Sequence, residues 1–444
     1  MVETKQEWAS ISVAEVNQQD LGPNRIRIGT TPQRVYAAEE FFPVLVFGAQ
    51  RSGKTSGFAV PALLDWGGPA VVTSVRRDVV DHTYRWRQKQ GNVYIFDPSG
   101  SLMDTQYQEF RHSWDFLDQC RSWDDCIRMG WALTESGRLT GINDQQFWYS
   151  LAGQLLAPHL FAATMTGRGI SDIVHWVKTQ EEFEVRSILQ SIGHDSALAS
   201  AEDAWNREDK ARSSVYTTLR SVLRAFDYDD SGVGSPPFLD IDDFLASKAD
   251  TLYLCAPPDE QEEYRPLFTG LVRTLFRSVY AQNTSAMDKR QENSPNTAAT
   301  AVCPLLVLLD EAGNIAPLEN LDTLATTAAG TKIQLVSIFH DLSQMESVYD
   351  PQTARSIVNN HSALLVLPGM RDIETLSYVQ GLLHGERVAN SKDAIWNSPR
   401  PLRGLQSGEA LLIYGNKRPI VLSLRSKFTD SELNLRVQGD ASDR

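Results

Sequence analysis

The chain has 444 residues, 42% of them hydrophobic, and its 56 acidic and 42 basic residues give a formal net charge of −14. This length allows about two or three domains, and 10 Trp, 13 Tyr and 17 Phe supply enough apolar surface to exclude global disorder. The acidity excludes a basic DNA-coating protein, because nonspecific phosphate binding needs a cationic surface. The charge is unevenly placed: residues 103–250 hold 13 basic and 24 acidic side chains, and the remainder holds 29 and 32.

The cysteines and the apolar pattern indicate a cytoplasmic protein. The four cysteines show no CxxC spacing and no histidines at zinc-ligand spacing, which favours reduced, structural thiols. The opening residues are polar, and nowhere do about 18 apolar residues run together, so we predict no signal peptide and no membrane-spanning helix. Work at a membrane would then require another component to hold the chain there.

In chain order, the pattern first predicts a small lead-in hairpin over Arg25–Gly29 and Arg34–Ala37 and then a series of buried strands. Most apolar runs are continuous rather than alternating, as in strands buried on both faces of a parallel sheet. Because helical periodicity lies between several runs, we predict an open, doubly wound α/β sheet. The last two runs flank Gly415-Asn416-Lys417 and predict an antiparallel hairpin at the sheet edge. The predicted strands are Val44–Phe47, Ala70–Val75, Val93–Phe96, Thr251–Cys255, Leu305–Leu309, Ile333–Phe339, Ala363–Leu367, Ala410–Tyr414 and Ile420–Leu424.

Between about residues 103 and 245 helical periodicity replaces the strand pattern. Apolar residues share a helical face in two stretches, the first with Asn143 and Asp144 placed to cap it, and turn-forming residues follow at Asp227–Pro237. We therefore predict an all-α domain over 103–245, inserted between chain segments 1–102 and 246–444. The two stretches are Trp148, Leu151, Leu155 and Leu156, and Val215, Leu219, Val222, Leu223 and Phe226.

The segment after the insertion begins with a strand and a long apolar helix. A polar stretch, Asn283–Thr300, follows the helix and is predicted to be a mobile loop. The apolar stripe of the helix consists of Leu267, Leu271, Leu275 and Val279, with Phe268, Val272 and Phe276 beside it.

The strongest chemical motif is Gly48–Thr55, a complete GxxxxGK[ST] that directly follows a predicted strand and precedes a helical segment. In this context the backbone N–H groups surround a phosphate and the helix N-terminus faces the anion. Lys54 is placed to reach the β- and γ-phosphates of ATP, and Thr55 to bind Mg²⁺. The candidate nucleotide-binding residues are Gly48, Ala49, Gln50, Arg51, Ser52, Gly53, Lys54, Thr55 and Ser56.

A second strand ends in two adjacent carboxylates, Asp310 and Glu311. Asp310 can hold Mg²⁺ through a coordinated water, and Glu311 can polarise the attacking water as a general base, which favours hydrolysis over phosphoryl transfer to another substrate. About 255 residues separate Lys54 from Asp310, more than in a compact P-loop switch protein. That spacing suits a ring-forming motor of the additional-strand class, in which neighbouring subunits complete each ATP site.

The sequence Phe96-Asp97-Pro98-Ser99-Gly100 follows a predicted strand at the sheet edge where open α/β proteins bind ligands. Asp97 is therefore a candidate for the nucleotide site or a subunit boundary, and a simple Asp-Pro turn is the structural alternative. Arg76 and Arg77 are candidates for contact with DNA or a neighbouring subunit, or for a solvated loop. The sequence has no zinc-finger, RNP or helix-turn-helix pattern, so any DNA binding is expected to be directed to the backbone.

Taken together, these motifs resemble the type IV secretion coupling proteins, the TraG/TraD-like conjugative DNA-transfer ATPases, particularly their actinobacterial branch. The P-loop is generic, whereas FDP, DEAGNIAPL and DLSQM at these spacings are more specific. The resemblance spans about residues 25–425 and rests on GAQRSGKT at 48–55, AVVTSVRRD at 70–78, GNVYIFDP at 91–98, DEAGNIAPLENL at 310–321, LVSIFHDLSQM at 335–345 and IETLSYVQGLLHGER at 373–387.

The resemblance implies a RecA-like motor that forms a homohexameric ring. In that family, ATP hydrolysis helps to carry single-stranded DNA and its attached relaxase into a type IV secretion channel. The inserted helical segment sits where the family has its all-α domain, which recognises substrate at the cytoplasmic mouth. The implied partners are single-stranded DNA, relaxase and relaxosome proteins, and membrane components of the secretion system at the inner face of the plasma membrane.

The chain departs from the family pattern in three places. The usual N-terminal membrane anchor is absent, which implies a separate membrane partner or a shortened chain. His340 stands where a γ-phosphate-sensing glutamine is usual and can still donate one hydrogen bond, so it joins Lys54 and Glu311 as a catalytic candidate. The interval 312–339, where the family often places an arginine finger, contains no arginine, and Arg355 and Arg371 are the remaining candidates.

Two alternative functions stay open at this point. Another hexameric DNA pump, of the FtsK/HerA-like kind that partitions chromosomes or packages virions, would share the motor, although the motifs after Asp310 disfavour it. A docking platform would bind ATP as an assembly switch and recruit a nucleoprotein, and the absence of an obvious arginine finger favours it. In every case, the acidic excess of the helical segment predicts binding to basic protein partners rather than to DNA.

Overall fold

The computed structural model describes residues 22, 24–74, 77–102, 105–139, 143–226, 236–291, 304–383 and 400–439. Its strands are β1 (Arg27–Thr31), β2 (Arg34–Ala37), β3 (Val44–Phe47), β4 (Ala70–Ser74), β5 (Val93–Phe96), β6 (Arg111–His112), β7 (Thr251–Cys255), β8 (Leu305–Leu309), β9 (Ile333–Phe339), β10 (Ala363–Val366), β11 (Glu409–Tyr414) and β12 (Ile420–Ser423).

The α-helices are α1 (Val60–Asp65), α2 (Asp78–Gln90), α3 (Trp123–Leu139), α4 (Asn143–Thr166), α5 (Ile170–Thr179), α6 (Phe183–Ile192), α7 (Asp195–Trp205), α8 (Asp209–Leu223), α9 (Ile241–Ala246), α10 (Gln261–Gln291), α11 (Ala312–Ile315), α12 (Leu321–Thr327), α13 (Leu342–Val348), α14 (Pro351–Asn360), α15 (Ile373–Leu382), α16 (Arg400–Arg403) and α17 (Ser431–Gln438). A π-helical turn over Lys54–Ala59 runs into α1, and 3₁₀ turns lie at Gln108–Phe110, Phe116–Gln119, Arg224–Phe226 and Ala329–Thr331.

The strands of the described chain form one sheet in the order β2-β1-β12-β11-β10-β3-β9-β8-β4-β7-β5-β6. From β10 to β6 all neighbours are parallel, and the pairs from β10 to β2 are antiparallel. Strand β9 lies between β3, which leads into the P-loop, and β8, which leads into the acidic pair. The predicted α/β fold with a mostly parallel sheet is confirmed, and it has the extra strand expected from the motif spacing.

The central strands are buried on both faces, which explains their continuous apolar sequences. In β3, Leu45 and Phe47 enter one core, while Val44 and Val46 enter the other. Helices α1 and α2 cover the second core, and α10 with the helices that follow β8 covers the first. The P-loop helix and the long helix α10 therefore lie on opposite faces of the sheet.

The helical segment α3–α8 shares its core with the sheet. Leu133 of α3, Leu155 of α4 and Leu219 of α8 belong to the same hydrophobic cluster as Val71 of β4 and Leu271 of α10. The apolar stripe predicted along α10 is buried throughout. Because the stripe packs against α3 and the sheet together, removing the segment would expose the apolar face of α10 to water.

The structure differs from the sequence predictions in three places. The β11–β12 hairpin is antiparallel but does not lie at the sheet edge, because β1 pairs with β12 and β2 covers β1. Strand β6 lies within the segment predicted to be all-helical and extends the sheet beside β5. The predicted mobile loop is wrong for its first part, since α10 continues to Gln291 and buries Asn283, whose Nδ2 donates to the carbonyls of Val279 and Thr331 at 3.0 and 2.8 Å.

Several predicted features fall outside the described residues: Arg76, Cys303, the remainder of the loop over 283–300, and most of the turn at Asp227–Pro237. The other cysteines, Cys120, Cys126 and Cys255, are buried free thiols. Of the helices that the structure describes, none combines the length and the apolar character needed to cross a membrane.

Candidate active site

The P-loop is closed tightly between β3 and the helix that begins at Lys54. The N–H of Gly48 donates to the carbonyl of Phe339 on β9, 3.1 Å away. A β-carbon at Gly48 would lie 2.6 Å from both Cγ of Lys54 and Oγ of Ser52, so the loop needs glycine at this position. Gly53 has a φ of 95°, in the left-handed region that favours glycine. The loop thus delivers Lys54 to the first turn of the helix, as the motif predicts.

Asp310 follows β8 and contacts the P-loop helix while being only 5% exposed. Its Oδ2 accepts a hydrogen bond from Oγ1 of Thr55 at 3.0 Å, and its carbonyl accepts one from Oγ1 of Thr73 at 2.8 Å. Burial raises the pKa of Asp310 to about 6; the neighbouring Glu311 adds to the rise, and the hydrogen bond from Thr55 opposes it. Burial thus disfavours the charged carboxylate of Asp310, and a nearby cation would stabilise it.

The residues present fit a magnesium ion shared with a phosphate group. Among the described residues, Oδ1 of Asp310 is buried but has no hydrogen-bond partner. Oγ of Ser52 in the P-loop is likewise buried and without a hydrogen-bond partner there. A buried polar atom in this state is costly unless a ligand satisfies it. Mg²⁺ usually takes one or two protein oxygens and fills its other positions with water and substrate phosphate, so Thr55 and Asp310 are the residues that would hold it.

Lys54 and His340 are joined directly. Nζ of Lys54 lies 2.6 Å from Nδ1 of His340. Because a charged ammonium group can only donate, Nδ1 accepts and the proton of the neutral ring is assigned to Nε2. Burial, together with the charge of Lys54, lowers the pKa of His340, so the neutral ring is favoured. Nε2 of His340 then faces Oε1 of Glu311, 3.6 Å away. Burial also lowers the pKa of Lys54, although Asp310 and Glu311 act in the opposite direction.

A chain of side-chain hydrogen bonds positions Glu311. Its Oε2 accepts from Nδ2 of Asn314 at 3.2 Å, and Oδ1 of Asn314 accepts from Nε2 of Gln344, also at 3.2 Å. Oε1 of Gln344 accepts from the backbone N–H of His340 at 2.7 Å, which closes the network. From outside it, Nε of Arg265 on α10 donates to the carbonyl of Asn314 at 2.9 Å. Asn314 was not predicted as a site residue, although its place three residues after Glu311 brings it within reach of that carboxylate when a helical turn follows.

The predicted catalytic and metal residues line one cavity of about 1410 Å³, together with the P-loop from Ala49 to Ser56. Another wall of this cavity comes from segments 406–409 and 423–430, which flank the β11–β12 hairpin. These two segments were not predicted from the sequence. They carry no motif, and they reach the P-loop only because the hairpin lies beside the parallel part of the sheet.

Asp97 does not line this cavity. Its carboxylate accepts from Oγ of Ser99 at 2.7 Å, Oγ of Ser101 at 3.1 Å and the N–H of Leu102 at 2.8 Å, and Nε of Arg111 lies 3.6 Å away. These bonds use the carboxylate to shape its own loop. The geometry therefore matches the Asp-Pro turn that the sequence offered as the structural alternative.

Of the arginines singled out in the sequence, the three that the structure describes are on the surface. Arg77 precedes α2 and is exposed, Arg355 is exposed on α14, and Arg371 is exposed on the loop after β10. None of the three lines the cavity of its own chain. This placement leaves them available for contacts with another molecule, which is the role proposed for them.

A family model described as "Type IV secretory system Conjugative DNA transfer" matches residues 7–389. The chain belongs to this family. Among curated proteins similar to this chain, the conjugal transfer protein TraG of Escherichia coli is 24% identical over 334 residues, which cover 68% of this chain and 49% of that protein. The protein VirD4 of Rhizobium radiobacter is 24% identical over 348 residues, covering 76% of this chain and 47% of VirD4. The chain thus spans about half the length of the curated relatives it matches.

Several solved structures share the fold. The bacterial conjugative coupling protein TrwB, in complex with sulphate, aligns with a TM-score of 0.65 at 18% identity over 87% of this chain and 86% of TrwB. TrwB in complex with ADP and Mg²⁺ aligns with a TM-score of 0.64 at 19% identity over the same shares. VirB4 of Thermoanaerobacter pseudethanolicus aligns with a TM-score of 0.53 at 12% identity, over 91% of this chain and 97% of VirB4. The predicted RecA-like P-loop fold is confirmed.

Proposed function

We propose that this protein is an ATP-hydrolysing motor that couples a conjugative DNA–relaxase complex to a type IV secretion channel. The observation that carries the proposal is the meeting of Lys54, Thr55, Asp310, Glu311 and His340 in one cavity of a chain that belongs to the conjugative DNA-transfer family. The solved relative TrwB has been captured with ADP and Mg²⁺ and with a non-hydrolysable ATP analogue, which supports the same ligands here.

In the proposed mechanism each residue has a separate task. The P-loop N–H groups and Lys54 bind the phosphates, and Thr55 and Asp310 hold the magnesium ion. When bound, the ion neutralises phosphate charge and orients the terminal phosphoryl group. Glu311 orients a water molecule and accepts its proton, and the bond from Asn314 fixes the carboxylate for that purpose.

His340 is proposed to report on the terminal phosphate. In the structure its Nδ1 accepts from Lys54, and its Nε2 lies 3.6 Å from Glu311. A phosphate that draws Lys54 toward itself would free Nδ1 of His340, and the ring, anchored through its backbone to Gln344, would change its contact with Glu311. The presence of the phosphate would thereby be transmitted to the general base.

The DNA-translocating ring is part of the same proposal. We infer a homohexamer that contacts the backbone of single-stranded DNA, as the resemblance to the coupling proteins implies. The charge distribution is compatible with this, since the chain outside residues 103–250 has nearly balanced charges, 29 basic and 32 acidic. Local basic groups can then line a pore without raising the total charge. Arg355 and Arg371, both exposed, stay the candidates for an arginine that acts on a neighbour's nucleotide.

The acidic helical segment is proposed to dock basic protein partners such as relaxosome proteins, at the inner face of the plasma membrane. Exposed acids on its surface include Asp195 and Glu208. Changing both to lysine should weaken binding to the relaxase while leaving DNA-stimulated hydrolysis within about twofold, because neither residue is near the cavity. Glu374→Lys, an exposed acid on α15, is the matched control. The opposite pattern would contradict this assignment.

The experiment that tests the motor is a steady-state ATPase assay with and without single-stranded DNA, repeated over a range of protein concentrations. A motor should be stimulated by DNA, and its specific activity should rise with protein concentration as rings assemble. Negligible hydrolysis with DNA present under assembling conditions would contradict the proposal.

A docking platform that uses ATP only as an assembly switch is the second candidate. It is favoured by one observation, that residues 312–339, where the family often places its arginine finger, contain no arginine. A platform would retain relaxase binding in Glu311→Gln and show no DNA stimulation of hydrolysis. The shared core argues against testing it by deleting residues 103–245, because that deletion would expose α10.

A further inference from the structure

The cavity extends well beyond the phosphate-binding loop. Its 1410 Å³ includes a region lined by Gly408, Ser426, Phe428 and Thr429, none of which has a role in the chemistry described above. A bound triphosphate occupies only the part beside the P-loop. The remaining part is available to the nucleoside, so the residues that line it decide how the base is held.

The wall on this side is clamped to the P-loop helix. Nη1 of Arg425 pairs with Oδ2 of Asp65, the last residue of α1, and Nε of Arg425 pairs with Asp430 at 2.7 Å. Nη1 of Arg436 on α17 pairs with the other oxygen of Asp65 at 2.9 Å. A β-carbon at Gly57 would lie 3.2 Å from Cδ1 of Leu424, so the helix and this wall are in close contact. The distance between the phosphate-binding loop and the wall is thereby fixed.

Phe428 is the unusual residue of this wall. It is 78% exposed, although the segment around it is anchored by the buried Arg425. Nζ of Lys427 lies 5.1 Å from the centroid of the Phe428 ring and donates to Nε2 of His82, whose Nδ1 donates to the carbonyl of Asp78. The ring is therefore contacted by Lys427, which is itself tied to α2 through His82, while most of the ring's surface stays uncovered.

We propose that Phe428 is the platform on which the purine base of the bound nucleotide stacks, with His82 bordering the base. The inference rests on the proposed nucleotide binding at the P-loop and adds the nucleoside subsite to it. An exposed aromatic ring loses solvent contact when a base covers it, and every base offers a π-face for the contact. Stacking on one ring favours the larger purine over a pyrimidine, so the subsite selects by ring size.

The test compares ligands with and without a base. Isothermal titration calorimetry in the presence of Mg²⁺ measures the affinity of the full chain and of Phe428→Ala for ATP, CTP and inorganic tripolyphosphate. We expect Phe428→Ala to weaken ATP binding about tenfold, to weaken CTP binding less, and to leave tripolyphosphate binding unchanged. Phe428→Tyr should restore ATP binding, because it restores the ring.

Two controls separate base stacking on Phe428 from a general loss of nucleotide binding. Phe183→Ala removes an even more exposed phenylalanine, 83% exposed, from α6, outside the cavity, and should leave all three affinities unchanged. Equal losses for ATP and tripolyphosphate in Phe428→Ala, or no loss for ATP, would overturn the subsite while leaving nucleotide binding itself intact. Failure of the unmodified protein to bind any of the three ligands would overturn the proposed function as well.

Discussion

Nζ of Lys54 donates a hydrogen bond to Nδ1 of His340 at 2.6 Å, across the cavity between the P-loop and the end of β9. A neutral imidazole in this position accepts on one side and presents a donor N–H on the other, where Oε1 of Glu311 lies 3.6 Å from Nε2. A glutamine side chain also offers one acceptor and a donor group. His340 therefore provides the hydrogen-bonding functions of the amide that the family pattern usually places here.

The first prediction concerns this pair. We expect His340→Gln to retain kcat for ATP hydrolysis within about threefold, and His340→Ala to lower it by roughly tenfold to a hundredfold, because the link between Lys54 and Glu311 is lost. Steady-state ATPase measurements check this, with His175→Ala on the exposed face of α5 as the control. Unchanged kcat in His340→Ala would show that the ring has no part in hydrolysis.

The second prediction concerns the carboxylate itself. Asn314 donates to Glu311 at 3.2 Å and accepts from Gln344, so Asn314→Ala should leave Glu311 free to rotate. We expect kcat to fall about tenfold with little change in KM for ATP, since positioning of the base matters in the transition state. The control is Asn434→Ala, an exposed residue of α17. A rise in KM at constant kcat would instead indicate a role in binding the nucleotide.

The third prediction concerns the junction between the helical segment and the motor. Glu135 on α3 has a side chain only 3% exposed and accepts from Arg273 on α10 and from the N–H of Glu319 in the loop after α11. Arg273→Met would leave this carboxylate buried without its cation and should lower the free energy of unfolding by about 3–5 kcal/mol. One turn further along α10, Arg277 pairs with Asp125 at the surface.

Arg277→Met is therefore the matched control and should cost less than about 1 kcal/mol, because exposed ion pairs contribute little. Urea unfolding of the two variants at neutral pH measures both effects. Similar midpoints for the two variants would contradict a structural role for the buried pair.

The fourth prediction is acid sensitivity from a buried histidine. Burial lowers the pKa of His159 to about 4, and among the described residues its Nε2 has no hydrogen-bond partner. A histidine that is neutral when folded and titrates near 6.5 when unfolded contributes stability fully above pH 6.5. This contribution falls by about 1.4 kcal/mol per pH unit as the pH drops from 6.5 toward 4.

Replacing this group should reduce the effect. His159→Leu should lower the pH dependence of the unfolding free energy between pH 6 and 5 by about one proton, whereas the exposed His175→Leu should not. Denaturant unfolding at several pH values provides the measurement. Equal pH dependence in the original chain and His159→Leu would indicate that another group controls acid unfolding.

Much of this architecture could be predicted from the sequence, because strands buried on both faces leave an unmistakable apolar run. The P-loop at Gly48–Thr55 and the pair at Asp310 and Glu311 were equally visible, since their chemistry needs fixed residue types next to a strand. The position of the β11–β12 hairpin was not predictable in the same way. Strand β12 of the hairpin pairs with β1, which lies near the other end of the chain, and the local sequence does not encode that pairing.

The site was predicted less completely than the fold. Asp97 follows a strand at the correct edge of the sheet, but its carboxylate is used by Ser99, Ser101 and Leu102. Phe428 belongs to no sequence motif. Its place beside the P-loop depends on ion pairs between residues that are far apart in the sequence, such as Arg425 and Asp65. Local sequence patterns identify residues whose role depends on their neighbours in sequence. The role of Phe428 depends instead on residues that are distant in sequence and close in space.

The role of Glu311 as the general base is tested most directly by comparing Glu311→Gln with the original chain in two measurements. These are equilibrium binding of ATP with Mg²⁺ and single-turnover hydrolysis in the presence of single-stranded DNA. Glu374→Gln, an exposed residue of α15, serves as the matched control. We expect Glu311→Gln to bind ATP within about threefold of the original affinity and to hydrolyse it at least about a hundredfold more slowly. Hydrolysis at the original rate in Glu311→Gln would contradict the assignment of Glu311 as the general base and, with it, the proposed motor chemistry.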